Sequence, residues 1–163
     1  MTETAAAPRA LVVTASTRAA NGVYEDRSGP ILVDALTEWG FEVAPATVVP
    51  DGDAVGAALR DGIAAGVELI LTTGGTGLNP RDVTPQQTEP LLDVQIPQLM
   101  AQLARVGADK GVPTAVLSRG LAGVAGRSLV VNLPGSTGGV RDALEVLHGV
   151  VFHALSQIAG GDH

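Results

Sequence analysis

Residues 67–73, VELILTT, constrain the fold more than any other stretch, because their apolar centre shows no period of two. A strand with one wet face alternates apolar and polar side chains. A strand that is apolar on both faces has to be covered twice, as in a parallel sheet held between helices. ALVVTAS (10–16), FEVAPATVV (41–49), PTAVL (113–117) and RSLVVNLP (127–134) read as further strands. Pro45 puts the 41–49 strand at a sheet edge or a bulge, since it cannot donate to a ladder. Between the strands the apolar spacing turns helical. Ser28-Gly29-Pro30 opens a helix with Leu32, Ala35, Leu36 and Trp39 on one face. Asp53 is placed to cap a second, carrying Val55, Ala58, Leu59, Gly62 and Ile63 and ending at Gly66. Thr84-Pro85-Gln86-Gln87 has the form of a capping box. Ile96, Leu99, Met100, Leu103 and Val106 mark another helix, and a long final one runs from Val140 to Ile158. SRGLAGVAG (118–126) is too rich in glycine for either regular state. This alternation predicts an α/β fold of three layers, α/β/α, with a mostly parallel central sheet and helices on both faces. With 163 residues, no repeat and no linker, residues 9–161 read as a single domain and residues 1–8 as a frayed tail.

Several classes of function are disfavoured by composition. No cysteine is present, so disulfides, thiolate metal sites, iron–sulfur clusters and a cysteine nucleophile are ruled out, and a cytoplasmic location fits. The N-terminus does not have the form of a secretory signal, and no apolar run approaches the roughly 20 residues that span a bilayer. A net charge of −7 offers no basic stripe for duplex nucleic acid. Tyr24 and Trp39 are too few to make a stacking platform for single strands. His148 and His153 fall on different helix faces, which disfavours a two-histidine metal site, and Ser118 and Ser136 lack a partner histidine. Lys110 is the only lysine, and the other basic residues are arginines, several beside glycine-rich turns: Arg81, Arg119 and Arg127. Codon usage accounts for the arginine bias but not for its placement. Arginine at such turns suits phosphate or carboxylate.

In parallel α/β sheets ligands bind outside the carboxyl ends of the strands. The residues there are Ser16, Thr17 and Arg18; Asp51 in PDGD; the GGTG loop (Gly74, Gly75, Thr76, Gly77) with Arg81 and Asp82; Ser118 and Arg119; and Pro134, Gly135, Ser136 and Thr137. Hydroxyls, arginines, flexible backbone and two carboxylates together suit a phosphorylated ligand with a divalent cation. The glycines permit positive φ and close backbone approach, so that successive N–H groups can form an anion nest. GGTG lacks the Lys-Ser/Thr pair of a Walker A loop and the third glycine of the dinucleotide fingerprint. Two readings stand for Asp82: a cap or solvated loop carboxylate, or a partner of Asp51 in holding Mg²⁺ through oxygen ligands and water. Thr84 fits the cap position better, which leaves Asp82 free for the second role.

TTGGTG with RDVTP, VVPDGD before it, LSRG followed by AG, and NLPGS together resemble the molybdopterin adenylyltransferase family. This is the Mog-type branch of molybdenum cofactor biosynthesis proteins, related to MoaB-like proteins and the G domain of gephyrin. The similarity runs from about residue 10 to residue 161, and its specific part is GGTG-x3-RD-V-TP. The resemblance implies a homotrimeric α/β/α domain that adenylylates molybdopterin with Mg-ATP, releases pyrophosphate, and hands the product to a MoeA-type molybdenum-insertion partner. It implies Asp51 and Asp82 as the required aspartates, with Mg²⁺ near them. The loop 74–77 would take phosphates, with Ser16 and Arg81 nearby. Ser118 and Arg119 would lie by the phosphate of the pterin, and Pro134, Gly135 and Ser136 on the nucleotide side. The chain departs from the family pattern at Thr17, where relatives usually have aspartate, and at Gln98 and Ala101, where they tend to have glycine and an acid. The alternative is a non-catalytic molybdopterin-binding or scaffold protein of the MoaB-like type.

Overall fold

The strands are ordered by how completely each must be buried. The computed structural model describes residues 4–162; residues 1–3 of the expected tail and His163 lie outside them. The seven strands are β1 (Arg9–Ala15), β2 (Glu42–Val43), β3 (Thr47–Val49), β4 (Leu69–Thr73), β5 (Val94–Gln95), β6 (Ala122–Ala125) and β7 (Ser128–Leu133). They form one sheet in the order β2-β1-β4-β7-β6-β5, with β3 also paired to β1. β1, β2, β3, β4 and β7 run parallel. β6 runs antiparallel to β7, and β5 antiparallel to β6. Strand β4, with its apolar Leu69–Leu71 run, is central and buried along its whole length, as a strand without a wet face requires.

The helices are α1 (Thr17–Ala20), α2 (Ser28–Glu38), α3 (Asp53–Ala64), α4 (Thr84–Thr88), α5 (Pro97–Asp109), α6 (Thr137–His148) and α7 (Val151–Ile158). Side chains alternate across the sheet. Val12, Leu69, Leu71, Leu129 and Val131 pack beneath Leu32, Leu36, Val140, Leu147 and Val151 of α2, α6 and α7. Ile70, Val130 and Ala15 face Val55 and Leu59 of α3 on the other side. The expected three layers are therefore present, with a core of aliphatic side chains.

Some local expectations are corrected. The 41–49 segment is two short strands rather than one, interrupted at Pro45, and both halves pair with β1 at its outer side. Residues 113–117 are a 3₁₀ turn, not a strand, with Val116 and Leu117 half exposed or more. A five-residue apolar run does not by itself reveal its state. The glycine-rich 118–126 segment contains a strand after all. A Cβ on Gly123 would run into the Val94 carbonyl and the Leu92 side chain, so glycine there serves close packing of β5 on β6. The single final helix is broken at Gly149-Val150 into α6 and α7. Asp53 is the first residue inside α3, and Gly52, at φ 105°, is the N-cap. Thr84 likewise sits inside α4 behind Val83, and no side chain caps that helix. The capping box is therefore absent, and the Thr84 hydroxyl has another task.

Candidate functional site

β1 and β4 are neighbours, yet the chain leaves them in opposite directions across the sheet, β1 toward β2 and β3, β4 toward β7. Such a switch point opens a crevice at the carboxyl ends of the strands. Ser16 and Gly74 border it. Gly74 and Gly75 have φ of 94° and 68°. A Cβ on Gly74 would strike the Ala15 carbonyl, and one on Gly75 would strike the Thr84 hydroxyl. Both positions therefore need glycine for conformation and for space.

The carbonyl groups of the loop are all taken up inside the protein. Gly74 O accepts the Thr84 hydroxyl at 3.0 Å, and Gly75 O accepts the Thr84 N–H at 3.0 Å. Thr76 O accepts the Arg119 N–H at 2.8 Å, and Gly77 O accepts Arg119 Nε at 2.8 Å. The N–H groups of Gly75, Thr76 and Gly77 find no acceptor among the described residues. A loop that ties down its carbonyls and leaves its N–H groups free is polarised for an anion.

The anchors of this loop are themselves anchored. Thr88 donates its hydroxyl to Thr84 O at 2.8 Å. Asn132, fully buried in β7, donates through Nδ2 to the Thr72 and Thr88 hydroxyls at 3.0 Å each, while its Oδ1 accepts the Leu121 N–H at 3.0 Å. On the opposite side of the loop, Thr73 donates to the Pro134 carbonyl at 2.8 Å.

Asp51 and Asp82 reach the loop from different sides. The hydrogen bonds of the Asp51 carboxylate fall on Oδ2, from the Thr17 N–H at 3.2 Å and the Thr17 hydroxyl at 2.9 Å. Its Oδ1 lies 3.2 Å from where a Cβ on Gly75 would stand. Asp82 Oδ2 accepts the Asn79 N–H at 3.1 Å, and a Cβ on Gly77 would stand 2.8 Å from it. Arg119 does not extend into open space: Nη2 donates to Asp82 O at 2.6 Å and Nη1 to Gln86 Oε1 at 3.4 Å, besides the bond from Nε to Gly77 O. The Ser118 hydroxyl donates to that of Thr76 at 3.2 Å. Arg81 is exposed. Ser16 and Ser136 cap α1 and α6 through N–H bonds from Ala19 and Gly139.

Two cavities share the wall made by Gly74, Gly135 and Ser136. The larger, about 860 Å³, lies between the loop with Asp82 and an apolar flank of Met100, Leu103 and Ala104 on α5. Ser118 and Pro134 also line it. The smaller, about 380 Å³, is bounded by Ser16, Tyr24, Asp26, Arg27, Ser28 and Thr73. Asp51, Arg81 and Arg119 line neither; Arg119 holds the carbonyls of Thr76 and Gly77, and Asp51 Oδ1 lies on the side of Gly75 where a side chain would stand. Gln98 and Ala101 are exposed on α5 and line neither cavity.

The α5 flank and the Tyr24–Arg27 wall were not expected from sequence. The α5 stripe reads as core, and much of it is core. Asp142 on α6 also lines the larger cavity. Lys110 bridges it at 3.2 Å and Glu145 at 2.6 Å. These bonds, to Glu145 first and Asp142 second, raise the pKa of the Lys110 ammonium. The lone lysine was the available signal. Among the described residues no three acidic, histidine or cysteine side chains cluster as a self-sufficient metal site. The carboxylates of Asp51 and Asp82 are the oxygen donors at this loop that could hold Mg²⁺, an ion that keeps several of its waters.

Comparison with known proteins agrees with this geometry. Residues 11–153 match the family model described as "Probable molybdopterin binding domain". The structure of a molybdopterin biosynthesis Mog protein from Mycobacterium ulcerans superposes with a TM-score of 0.89 at 55% identity, covering 93% of this chain and 99% of that one. A Helicobacter pylori protein named molybdopterin adenylyltransferase is 35% identical, over 91% of this chain and 86% of its own length. A molybdenum cofactor biosynthesis bifunctional protein of Chlorobaculum tepidum is 40% identical over 96% of this chain, which spans 50% of that relative. Loop, switch-point crevice and sequence match over most of its length thus converge, and the chain belongs to the family that shares this probable molybdopterin binding domain.

Proposed function

We propose that this chain adenylylates molybdopterin with ATP in molybdenum cofactor biosynthesis and releases pyrophosphate. An oxygen of the terminal phosphate of molybdopterin attacks the α-phosphorus of ATP. The new P–O bond forms as the bond from α-phosphorus to the bridging oxygen breaks, and pyrophosphate leaves with that electron pair. The observation that carries the reading is the polarised loop, with its carbonyls bound inside and the N–H groups of Gly75, Thr76 and Gly77 without an acceptor among the described residues. Donors fixed before the reaction stabilise developing phosphoryl charge without reorganising. Two adjoining cavities that meet at this loop suit two substrates whose phosphates must meet. The name of the Helicobacter pylori relative supports the same activity.

In this reading Asp51 and Asp82 are the catalytic carboxylates and would hold Mg²⁺, which would supply charge neutralisation during phosphoryl transfer. Thr76 and Ser118 add hydroxyls on the side of the larger cavity. Arg119 braces the loop and Asp82, and Arg81 approaches phosphates from solvent. Pro134, Gly135 and Ser136 form the wall common to both substrates, and Ser16 lies on the side of the smaller cavity. Residues 9–161 act as one molybdopterin-binding domain in a cytoplasmic homotrimer, which passes its product to a MoeA-type partner and engages neither nucleic acid nor membrane. Among the described residues no helix is long and apolar enough to cross a bilayer.

The test is purified protein with molybdopterin and Mg-ATP, following adenylylated molybdopterin and pyrophosphate. Asp82→Ala should keep pterin binding and lose turnover on the order of 100-fold or more. Equal turnover in wild type and variant refutes the role of Asp82. Pterin binding by the wild type without ATP turnover would select the non-catalytic scaffold instead.

A further inference from the structure

We infer that Thr17 is a positioning residue that fixes which oxygen of Asp51 faces the reacting phosphates; this rests on the adenylyl-transfer reading above. The pairing of β1 with β3 brings the two residues together. In that parallel register Ala15 lies beside Val49, and the Ser16 N–H donates to Val49 O at 2.9 Å. Two residues beyond each member of that pair, the chain places Thr17 next to Asp51. Three hydrogen bonds then join them. The Thr17 N–H and hydroxyl both donate to Asp51 Oδ2, at 3.2 and 2.9 Å, and the Asp51 N–H donates back to Thr17 Oγ1 at 3.2 Å.

A carboxylate free to rotate about its last torsion presents either oxygen. Here Oδ2 is gripped twice, so Oδ1 is the oxygen turned toward Gly75 and the phosphate loop. The Thr17 N–H and hydroxyl are both spent on Asp51, so Thr17 acts through Asp51 rather than on a substrate. Its side chain satisfies Asp51 in both directions, as hydroxyl donor and as acceptor for the backbone. A group that orients a metal-binding carboxylate typically matters about 10- to 100-fold in metal affinity or rate.

The experiment compares Thr17→Val, which keeps the shape and loses the hydroxyl, with Thr17→Ser, which keeps the hydroxyl. Mn²⁺ binding is read by electron paramagnetic resonance in the presence of α,β-methylene-ATP, alongside kcat and KM for molybdopterin. Thr17→Val should weaken Mn²⁺ binding and lower kcat by about 10-fold, the low end of that range, while KM for molybdopterin stays within about twofold. Thr17→Ser should stay close to wild type in all three. In an Asp51→Ala background, Thr17→Val should add nothing, because its effect runs through Asp51. Wild-type Mn²⁺ binding in Thr17→Val, a loss in Thr17→Ser as large as that in Thr17→Val, or an additive effect in the double variant would overturn the role. The two levels of failure separate cleanly. If Asp51→Ala turns over like wild type, the reading of the site fails and Thr17 with it. If Asp51→Ala is dead while Thr17→Val is unaffected, only the role of Thr17 fails.

Discussion

Arg119 gives the sharpest test of how the GGTG loop is held, because a guanidinium beside a loop proposed to take phosphate invites the simpler view that it binds phosphate directly. In the structure its donors go to the Gly77 and Asp82 carbonyls at 2.8 and 2.6 Å, with a longer bond to Gln86 at 3.4 Å. Hydrogen bonds involving a charged partner contribute roughly 1.5–3 kcal/mol each when well formed. Arg119 is only partly buried, and the freed carbonyls can be rehydrated, so about half of the summed value for the two short bonds is retained. Arg119→Ala should therefore favour local opening of residues 77–82 by about 2 kcal/mol, a roughly 30-fold shift in the opening equilibrium. Arg119→Lys separates the two views. An ammonium is a competent point charge for phosphate, but it lacks the planar fork that spans two carbonyls. If Arg119 is a brace, Lys and Ala variants should both show faster hydrogen exchange at the Asp82 and Thr84 amides, which bond to Asn79 O and Gly75 O. Both should then lose kcat together. Wild-type exchange rates in both variants, with a raised KM for ATP in Arg119→Ala that Arg119→Lys repairs, would refute the brace and restore direct phosphate contact.

Gly75→Ala should abolish turnover while leaving the fold intact. Its φ of 68° and the contact with the Thr84 hydroxyl strain the variant by about 1–3 kcal/mol at the loop, detectable as a loss of ATP-analogue binding with a small change in melting temperature. Lys110 gives a prediction in pH. Its folded-state pKa is raised above the ordinary lysine value of 10.5 by Glu145 and Asp142, so its contribution is complete below pH 10.5 and is lost as pH rises through the folded value. Melting temperatures at low salt should fall more steeply above pH 10.5 in the wild type than in Lys110→Met, and added salt should shrink the difference.

The parallel core was legible because β4 has no polar face in Leu69–Thr73 other than two threonines, and both of these use their hydroxyls inside the protein. The elements that escaped sequence reading carry weak signals for identifiable reasons. β5 is two residues long, and β6 contains Gly123 because a neighbouring backbone comes too close for a side chain. A pattern of apolar periodicity has nothing to measure in either. The 113–117 run looked like a strand because five residues are too few to show a helical period. At the site, glycines and carboxylates were legible by type, but direction was not. Arg119 could point at a phosphate or at a carbonyl with the same sequence, and Thr84 could cap a helix or bind Gly74. The flank formed by Met100, Leu103 and Ala104 was hidden for a related reason. One apolar stripe on α5 both packs on the sheet and lines the larger cavity, and spacing does not distinguish covered from open apolar surface.

The glycines of residues 74–77 create a requirement that the rest of the fold has to meet. Glycine allows the backbone to turn its N–H groups outward, but the same freedom permits many other conformations and costs entropy to suppress. A loop that merely could bind phosphate would spend binding energy on being ordered. Here the order is set beforehand, and from several independent directions. Thr84 holds Gly74 and Gly75 from α4, and Arg119 holds Thr76 and Gly77 from the chain entering β6. Asn132 binds Thr88, and Thr88 holds the Thr84 carbonyl, so the α4 anchor is itself fixed to the buried centre of β7. Each anchor takes a carbonyl and none takes the N–H of residues 75–77, so the fixing of the loop and its polarity have one cause. Of the residues that follow the three glycines in sequence, Thr84 is the one that reaches back to hold them, and Arg119 completes the hold from a distant segment. Residues 75–77 keep their N–H groups open, and Thr84 and Arg119 take their carbonyls.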